Sequence, residues 1–246
     1  MKFTESVHEI VKGGGKCLLP VFVSGRAQEL LLILDEYWEQ NPDIKDVPIY
    51  YASSMASKCM SVFETYINMM GPYVKQKFAQ GINPFLFRYI KHLEKSEENL
   101  DDENQPCVVM ASPGMLQNGL SRQCFEKWCC NERNGVIITG YCIDGTLAKE
   151  ILNYPNHIKK MNGELVERKC QVKKSIFCAH SDFAQTTDYV NKLKPRNIIL
   201  VHGEKNEAFN LMERLKTMFK DIRIESPENK QGVLFEFEPR NNFMVC

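Results

Sequence analysis

Apolar and polar positions along this chain recur with two periods, one suited to helices and one to buried strands. Phe3, Val7, Ile10 and Val11 fall at helical spacing, and Gly13-Gly14-Gly15 stops the pattern. Residues 17–23 form an unbroken apolar run bounded by glycines, the mark of a strand covered on both faces. From Arg26 to Gln40 the residues Leu30, Leu31, Leu34 and Trp38 share one face, which predicts a helix that Asn41-Pro42-Asp43 ends. A strand over 47–51 follows, then a helix capped by Ser53 or Ser54 and running to about residue 70. Acidic 94–103 reads as an exposed loop. Beyond it come a strand over 107–111, a turn at Ser112-Pro113-Gly114, a helix over 120–130, a strand over 136–139, a turn over 140–145 and a helix over 146–152.

The pattern weakens over 153–174, where Lys159, Lys160, Arg168, Lys169, Lys173 and Lys174 cluster; this stretch reads as a solvated linker. Alternation then returns as a strand over 175–178, a helix over 183–193, a strand over 197–201, a helix over 205–219 and short strands over 222–225 and 233–237. Repeated strand–helix order predicts an α/β protein with a mainly parallel, helix-flanked sheet. A division near residue 176 separates a first domain, 1–176, from a second, 177–246.

Composition narrows the function classes. The 246 residues are 43% hydrophobic and 25% charged, the balance of a packed globular chain. No apolar run reaches the roughly 20 residues that span a bilayer, so a membrane partner is not expected. The first residues lack the apolar segment of a secretory signal. Lys plus Arg and Asp plus Glu are both 31, so bulk charge would not coat nucleic acid, although a local basic groove stays possible. The ten cysteines form no Cys-x-x-Cys pair and several lie in apolar runs; they read as reduced, mostly buried thiols.

Ligand sites in parallel sheets lie beyond the carboxyl ends of strands, where helix N-termini present free amides. Three loops fit: Ser24-Gly25-Arg26, Ser112-Pro113-Gly114 and 140–145. Gly25 beside Arg26 is the best candidate among them. None matches a P-loop or a Gly-x-Gly-x-x-Gly fingerprint, so a nucleotide-dependent transferase has only the strand–helix alternation behind it. Of the five histidines, His8, His92 and His157 suit structural or solvent roles. His180 and His202 each follow a predicted strand, which would set both imidazoles on one rim, where metal or acid–base chemistry is feasible.

Several motifs then resemble one family. Ser24-Gly25-Arg26-Ala27-Gln28-Glu29-Leu30-Leu31, Met110-Ala111-Ser112-Pro113-Gly114-Met115, Gly119-Leu120-Ser121-Arg122, Asn134-Gly135-Val136-Ile137-Ile138, Gly140-Tyr141-Cys142, Ala179-His180-Ser181-Asp182 and Val201-His202-Gly203-Glu204 look like the β-CASP metallo-β-lactamase nucleases. The likeness covers practically the whole chain. It implies a β-CASP domain over 1–176 and the C-terminal return of a metallo-β-lactamase domain over 177–246. It further implies a zinc-dependent endoribonuclease of two zinc ions, acting on pre-mRNA in the nucleus within a multisubunit cleavage and polyadenylation complex. By resemblance His180 is the general acid, His202 a metal ligand, and Ser24, Gly25, Arg26, Ser112 and Gly114 contact RNA backbone.

The family's principal metal motif, His-x-His-x-Asp-His, has no counterpart here. The resemblance therefore implies an incomplete metal site, and the chain by itself is expected to be catalytically silent. Its second domain is expected to expose apolar strand surface. A non-catalytic RNA-binding or scaffold module is the alternative reading, with Arg26 and the lysines of 159–174 as its RNA contacts in place of a solvated linker.

Overall fold

The computed structural model describes residues 3–22, 26–52, 56–93, 100, 102, 105–177 and 180–237. The chain divides into two compact units, residues 1–178 and 179–246.

In the first unit, helix α1 (Phe3–Lys12) leads into strand β1 (Lys16–Pro20), helix α2 (Arg26–Gln40) and strand β2 (Ile49–Ala52). Helices α3 (Ala56–Thr65) and α4 (Pro72–Ala79) precede the edge strand β3 (Ile90–His92). Then come β4 (Cys107–Ala111), α5 (Gly119–Trp128), β5 (Gly135–Ile138) and α6 (Leu147–Ile151). A small antiparallel hairpin of β6 (His157–Lys159) and β7 (Leu165–Glu167) leads to β8 (Gln171–Lys174). The six strands of the main sheet lie in the order β3-β2-β4-β1-β5-β8, and every neighbouring pair is parallel.

Alternate residues of each strand face opposite sides, and this divides the core in two. Cys17 and Leu19 of β1, with Val108 and Met110 of β4, meet Phe3, Val7 and Ile10 of α1 and Leu30, Leu31, Leu34 and Trp38 of α2. Leu18, Val109 and Val136 turn the other way, onto Phe125 and Trp128 of α5 and Leu147 and Ile151 of α6. Each such side chain, fully buried, contributes on the order of 1.5–3 kcal/mol through removal from water. The central strands are buried along their whole length because helices cover both faces.

Three expectations are corrected. The basic stretch 153–174 is not a solvated linker: it holds the hairpin and β8, which pairs with β5 from Gly135↔Gln171 to Ile138↔Lys174. β8 is an edge strand, and Lys173 pairs with Glu9 of α1, so its lysines carry no apolar signature. The strand expected over 175–178 is the tail of β8: Ser175 and Phe177 still donate to Ile138 O and Thr139 O, both at 2.9 Å, without strand geometry, and Cys178 lies outside the described residues. The strand expected over 233–237 does not form among the described residues. Arg223 holds that segment by its side chain instead, donating to Leu234 O at 3.0 Å and stacking over the Phe235 ring.

The second unit contains α7 (Phe183–Leu193), β9 (Asn197–Ile199), α8 (Lys205–Met218) and β10 (Arg223–Glu225). Strands β9 and β10 pair in parallel, with α8 as the crossover. Val190, Leu215 and Ile224 are its buried apolar residues among those described, while Val201, Phe209, Leu234 and Phe237 stand exposed. Among the described residues the expected exposure of apolar strand surface is met only at Ile199 of β9, while Ile224 of β10 is buried; the other exposed apolar residues lie outside the strands.

Candidate functional site

His180 and His202 come together. Their ring centroids are 5.1 Å apart with planes inclined at 49°, and both residues are exposed. The local sequence explains how. His180 stands two residues before Asp182, the N-cap of α7; His202 stands two residues before Glu204, the N-cap of α8. Each imidazole thus precedes a helix N-terminus by the same offset.

The first of these ends is rigidly built. The Asp182 carboxylate accepts from Gln185 N at 2.8 Å, and Asp182 N donates back to the Gln185 side chain at 3.1 Å, a complete capping box. The second is a sharp turn. His202 has φ +63°, in the left-handed region that non-glycine residues seldom occupy, and Gly203 sits close above Ala208. A bulky residue held there is an uncommon conformation of the kind that gathers at functional positions. One expectation is corrected here: the histidines do not follow two strands of one sheet, because His202 comes after β9 of the two-stranded sheet and no separate strand forms over the described residues before His180. The matching helix starts bring the rings together, and neither they nor the turn at His202 were legible in the strand–helix alternation.

The other candidate residues lie in the first unit. Arg26 opens α2 and pairs with Glu29 one turn on. Ser24 and Gly25 fall outside the described residues. Strands β4, β1 and β5 are consecutive in the sheet, so the loops containing Arg26, Ser112–Gly114 and 140–145 leave adjacent carboxyl ends. Gly114 lies under the Phe22 ring: a Cβ there would stand 3.4 Å from the ring and 3.3 Å from Val21 C. The loops after β1 and β4 therefore pack closely at Gly114 and Phe22.

Ser112 has a different immediate duty. Its carbonyl accepts from Ser121 N at 3.3 Å, and the Ser121 hydroxyl donates to Pro113 O at 2.7 Å. The amide of Ser121 near the start of α5 is thus already satisfied by the loop itself. Two buried cations brace the first unit, Arg122 beside this loop and Lys16 at the opposite, amino end of β1. Arg122, 8% exposed, donates to Leu116 O at 3.2 Å and to Lys159 O at 2.6 Å, anchoring the β6–β7 hairpin. Lys16, 3% exposed, donates to Leu100 O and Gln105 O, each at 3.2 Å.

Comparison with known proteins supplies the class. Residues 27–151 match the Beta-Casp domain, and residues 165–227 match the Zn-dependent metallo-hydrolase RNA specificity domain. The chain belongs to the Beta-Casp family.

Among its relatives is the Cleavage and polyadenylation specificity factor subunit 3 of Dictyostelium discoideum, 51% identical over 97% of this chain and 30% of that protein. The Cleavage and polyadenylation specificity factor 73 of Drosophila melanogaster is 48% identical over 94% of this chain and 34% of its own length. Endoribonuclease YSH1 of Yarrowia lipolytica is 46% identical over 98% and 28%, respectively. The chain spans about a third of the length of these relatives.

The zinc that this family implies can be tested against the donors present. Among the described residues no group of three or more His, Cys, Asp or Glu side chains converges as a metal site. Zinc takes at least three protein ligands in catalytic sites and four in structural ones. Two adjacent imidazoles fall short of that, so the described residues do not by themselves make a zinc site. Nor is any helix among them long and apolar enough to cross a membrane.

Proposed function

We propose that this chain is the β-CASP region, 1–176, and the following lactamase return segment, 177–246, of a zinc-dependent endoribonuclease that cuts pre-mRNA at its 3′ end before polyadenylation. The observation that carries this reading is the His180–His202 pair, two imidazoles 5.1 Å apart at matching helix starts. It sits in a chain matched over nearly its whole length by proteins named as cleavage factors and endoribonucleases.

In the intact protein His202 is a zinc ligand, its partners in coordination coming from residues beyond this chain. His180 holds the proton that the leaving oxygen takes up. Arg26, with Ser24 and Gly25, offers a cation and small residues to the RNA backbone, as do Ser112 and Gly114. The enzyme works in the nucleus with other subunits of the cleavage and polyadenylation complex. Alone, this chain is silent, because no water is activated where zinc has too few ligands.

The test is zinc-dependent cleavage of a pre-mRNA substrate by the full-length protein carrying His180→Ala or His202→Ala. Undiminished cleavage in either variant overturns the role given to that residue. The short donor set among the described residues favours a second reading, an RNA-binding module without catalysis. Cleavage by the wild-type full-length protein, with zinc bound in stoichiometric amount, would dispose of it.

A further inference from the structure

Outside the histidine pair the described residues hold a second concentration of reactive groups, three thiols at the end of α5. Cys129 and Cys130 are adjacent in sequence, and their sulfurs are 3.9 Å apart. On a regular helix, consecutive side chains diverge by about 100°, but this pair lies in the turn that follows α5, where both can point the same way. Cys130 is exposed and Cys129 is buried. Cys170, also buried, lies within electrostatic reach of both, and Lys160 is near both sulfurs of the pair.

We propose that Cys129 and Cys130 form an oxidisable dithiol, a site of reversible two-electron modification by peroxides. The Cys130 thiolate attacks one peroxide oxygen, the O–O bond breaks, and the other oxygen leaves as alkoxide or hydroxide and takes a proton from solvent. Cys130 is then a sulfenic acid. The Cys129 sulfur displaces the hydroxyl from Cys130 sulfur; its own proton departs with that hydroxyl as water, and an S–S bond closes. Two thiols are oxidised by two electrons, and one peroxide is reduced. Exposure makes Cys130 the residue that meets the oxidant, and the 3.9 Å separation makes Cys129 the one that resolves it.

The consequence reaches the main sheet. The peptide joining the two cysteines contains the Cys129 carbonyl, which accepts from Lys169 N at 2.7 Å and Cys170 N at 2.9 Å. Those two bonds hold the chain that leads into β8. A disulfide between adjacent residues re-aims that peptide and weakens both bonds. The site is independent of the endoribonuclease reading.

The experiment treats the native full chain with hydrogen peroxide, then applies intact-mass and peptide mass spectrometry with alkylation of residual thiols. The expected result is a loss of about 2 Da confined to the peptide bearing Cys129 and Cys130, reversed by dithiothreitol. Faster hydrogen exchange at the amides of Lys169 and Cys170 should accompany it. Cys130→Ser, at an exposed position, should fold normally and lose the mass change. Progress of Cys130 to sulfinic or sulfonic acid with Cys129 still free would overturn the proposal. So would a disulfide mapped between Cys130 and Cys170.

Discussion

Gly15 runs directly against Arg133: a Cβ on residue 15 would stand 1.8 Å from the Arg133 carbonyl oxygen and 2.5 Å from its carbon. The turn from α1 into β1 can approach the turn before β5 this closely only because residue 15 has no side chain. Both neighbours are backbone, so no rotamer change relieves the clash. Gly15→Ala should lower stability by about 3 kcal/mol, the upper part of the range for overpacking. Gly140→Ala, where an added Cβ would meet nothing within 4 Å beyond its own chain neighbours, should change it by less than about 0.5 kcal/mol. Urea midpoints for the two variants check the contrast.

Lys16 provides a second test. Its ammonium is buried between the Leu100 and Gln105 carbonyls and lies 5.5 Å from the centroid of the Trp128 ring. Lys16→Met keeps the apolar stem but removes the donor, leaving two carbonyls without it. A loss of about 1–3 kcal/mol is expected, read as a lower melting temperature.

The buried thiols give a pH dependence with a definite sign. Burial pushes Cys107 up to about 11, an effect the Lys16 charge only partly offsets. Burial likewise pushes Cys170 up to about 11, against the pull of Arg168. An unfolded thiol ionises near 9.0, so above that pH the unfolded chain sheds protons that the folded chain keeps. The stability these thiols contribute is complete below pH 9 and is lost as pH rises through 9 towards 11. Denaturant titrations at a series of alkaline pH values should show that decline. Iodoacetamide at pH 8 should leave both residues unmodified until the protein unfolds.

Asp182 sets the start of the helix that His180 precedes. Asp182→Ala removes the carboxylate that accepts from Gln185 N, a loss of about 1 kcal/mol from the helix end. Hydrogen exchange in the first turn of α7 should quicken, and, on the role proposed for His180, cleavage by the full-length protein should fall as that residue loses its fixed position. Asp182→Asn, which can still cap, should restore most of both.

On the proposed roles, the two histidines should fail differently in the full-length protein. His202→Ala should lower bound zinc, measured by elemental analysis, together with cleavage. His180→Ala should retain zinc and lose about 10²–10⁴-fold in rate, the usual contribution of a proton donor. Identical zinc loss in both would defeat the division of labour.

How much of this was legible in the sequence depended on burial. α2, β4 and α7 match their expected spans because each shows a clean period or an unbroken apolar run between turn residues. β8 escaped notice because an edge strand needs no apolar run, and its lysines read as solvated charge. Lys16 escaped for the opposite reason: a lysine at a strand's start gives no hint that two carbonyls 84 and 89 residues away will surround it. The pairing of the two histidines was legible, though for the wrong reason: they meet at two helix starts and not at two strand ends of one sheet. The 5.1 Å between the rings, and the left-handed turn at His202, needed coordinates.

The strand order also governs how the molecule is made. β1 pairs with β4 on one side and β5 on the other, so among the described residues both of its partners come later in the sequence. During synthesis its apolar residues must therefore wait, unpaired, until Cys107–Ala111 has emerged from the ribosome. Helices α1 and α2 pack on β1 among the described residues, so the two amphipathic segments that flank it can act first as a temporary shelter and only later as one layer of the finished domain.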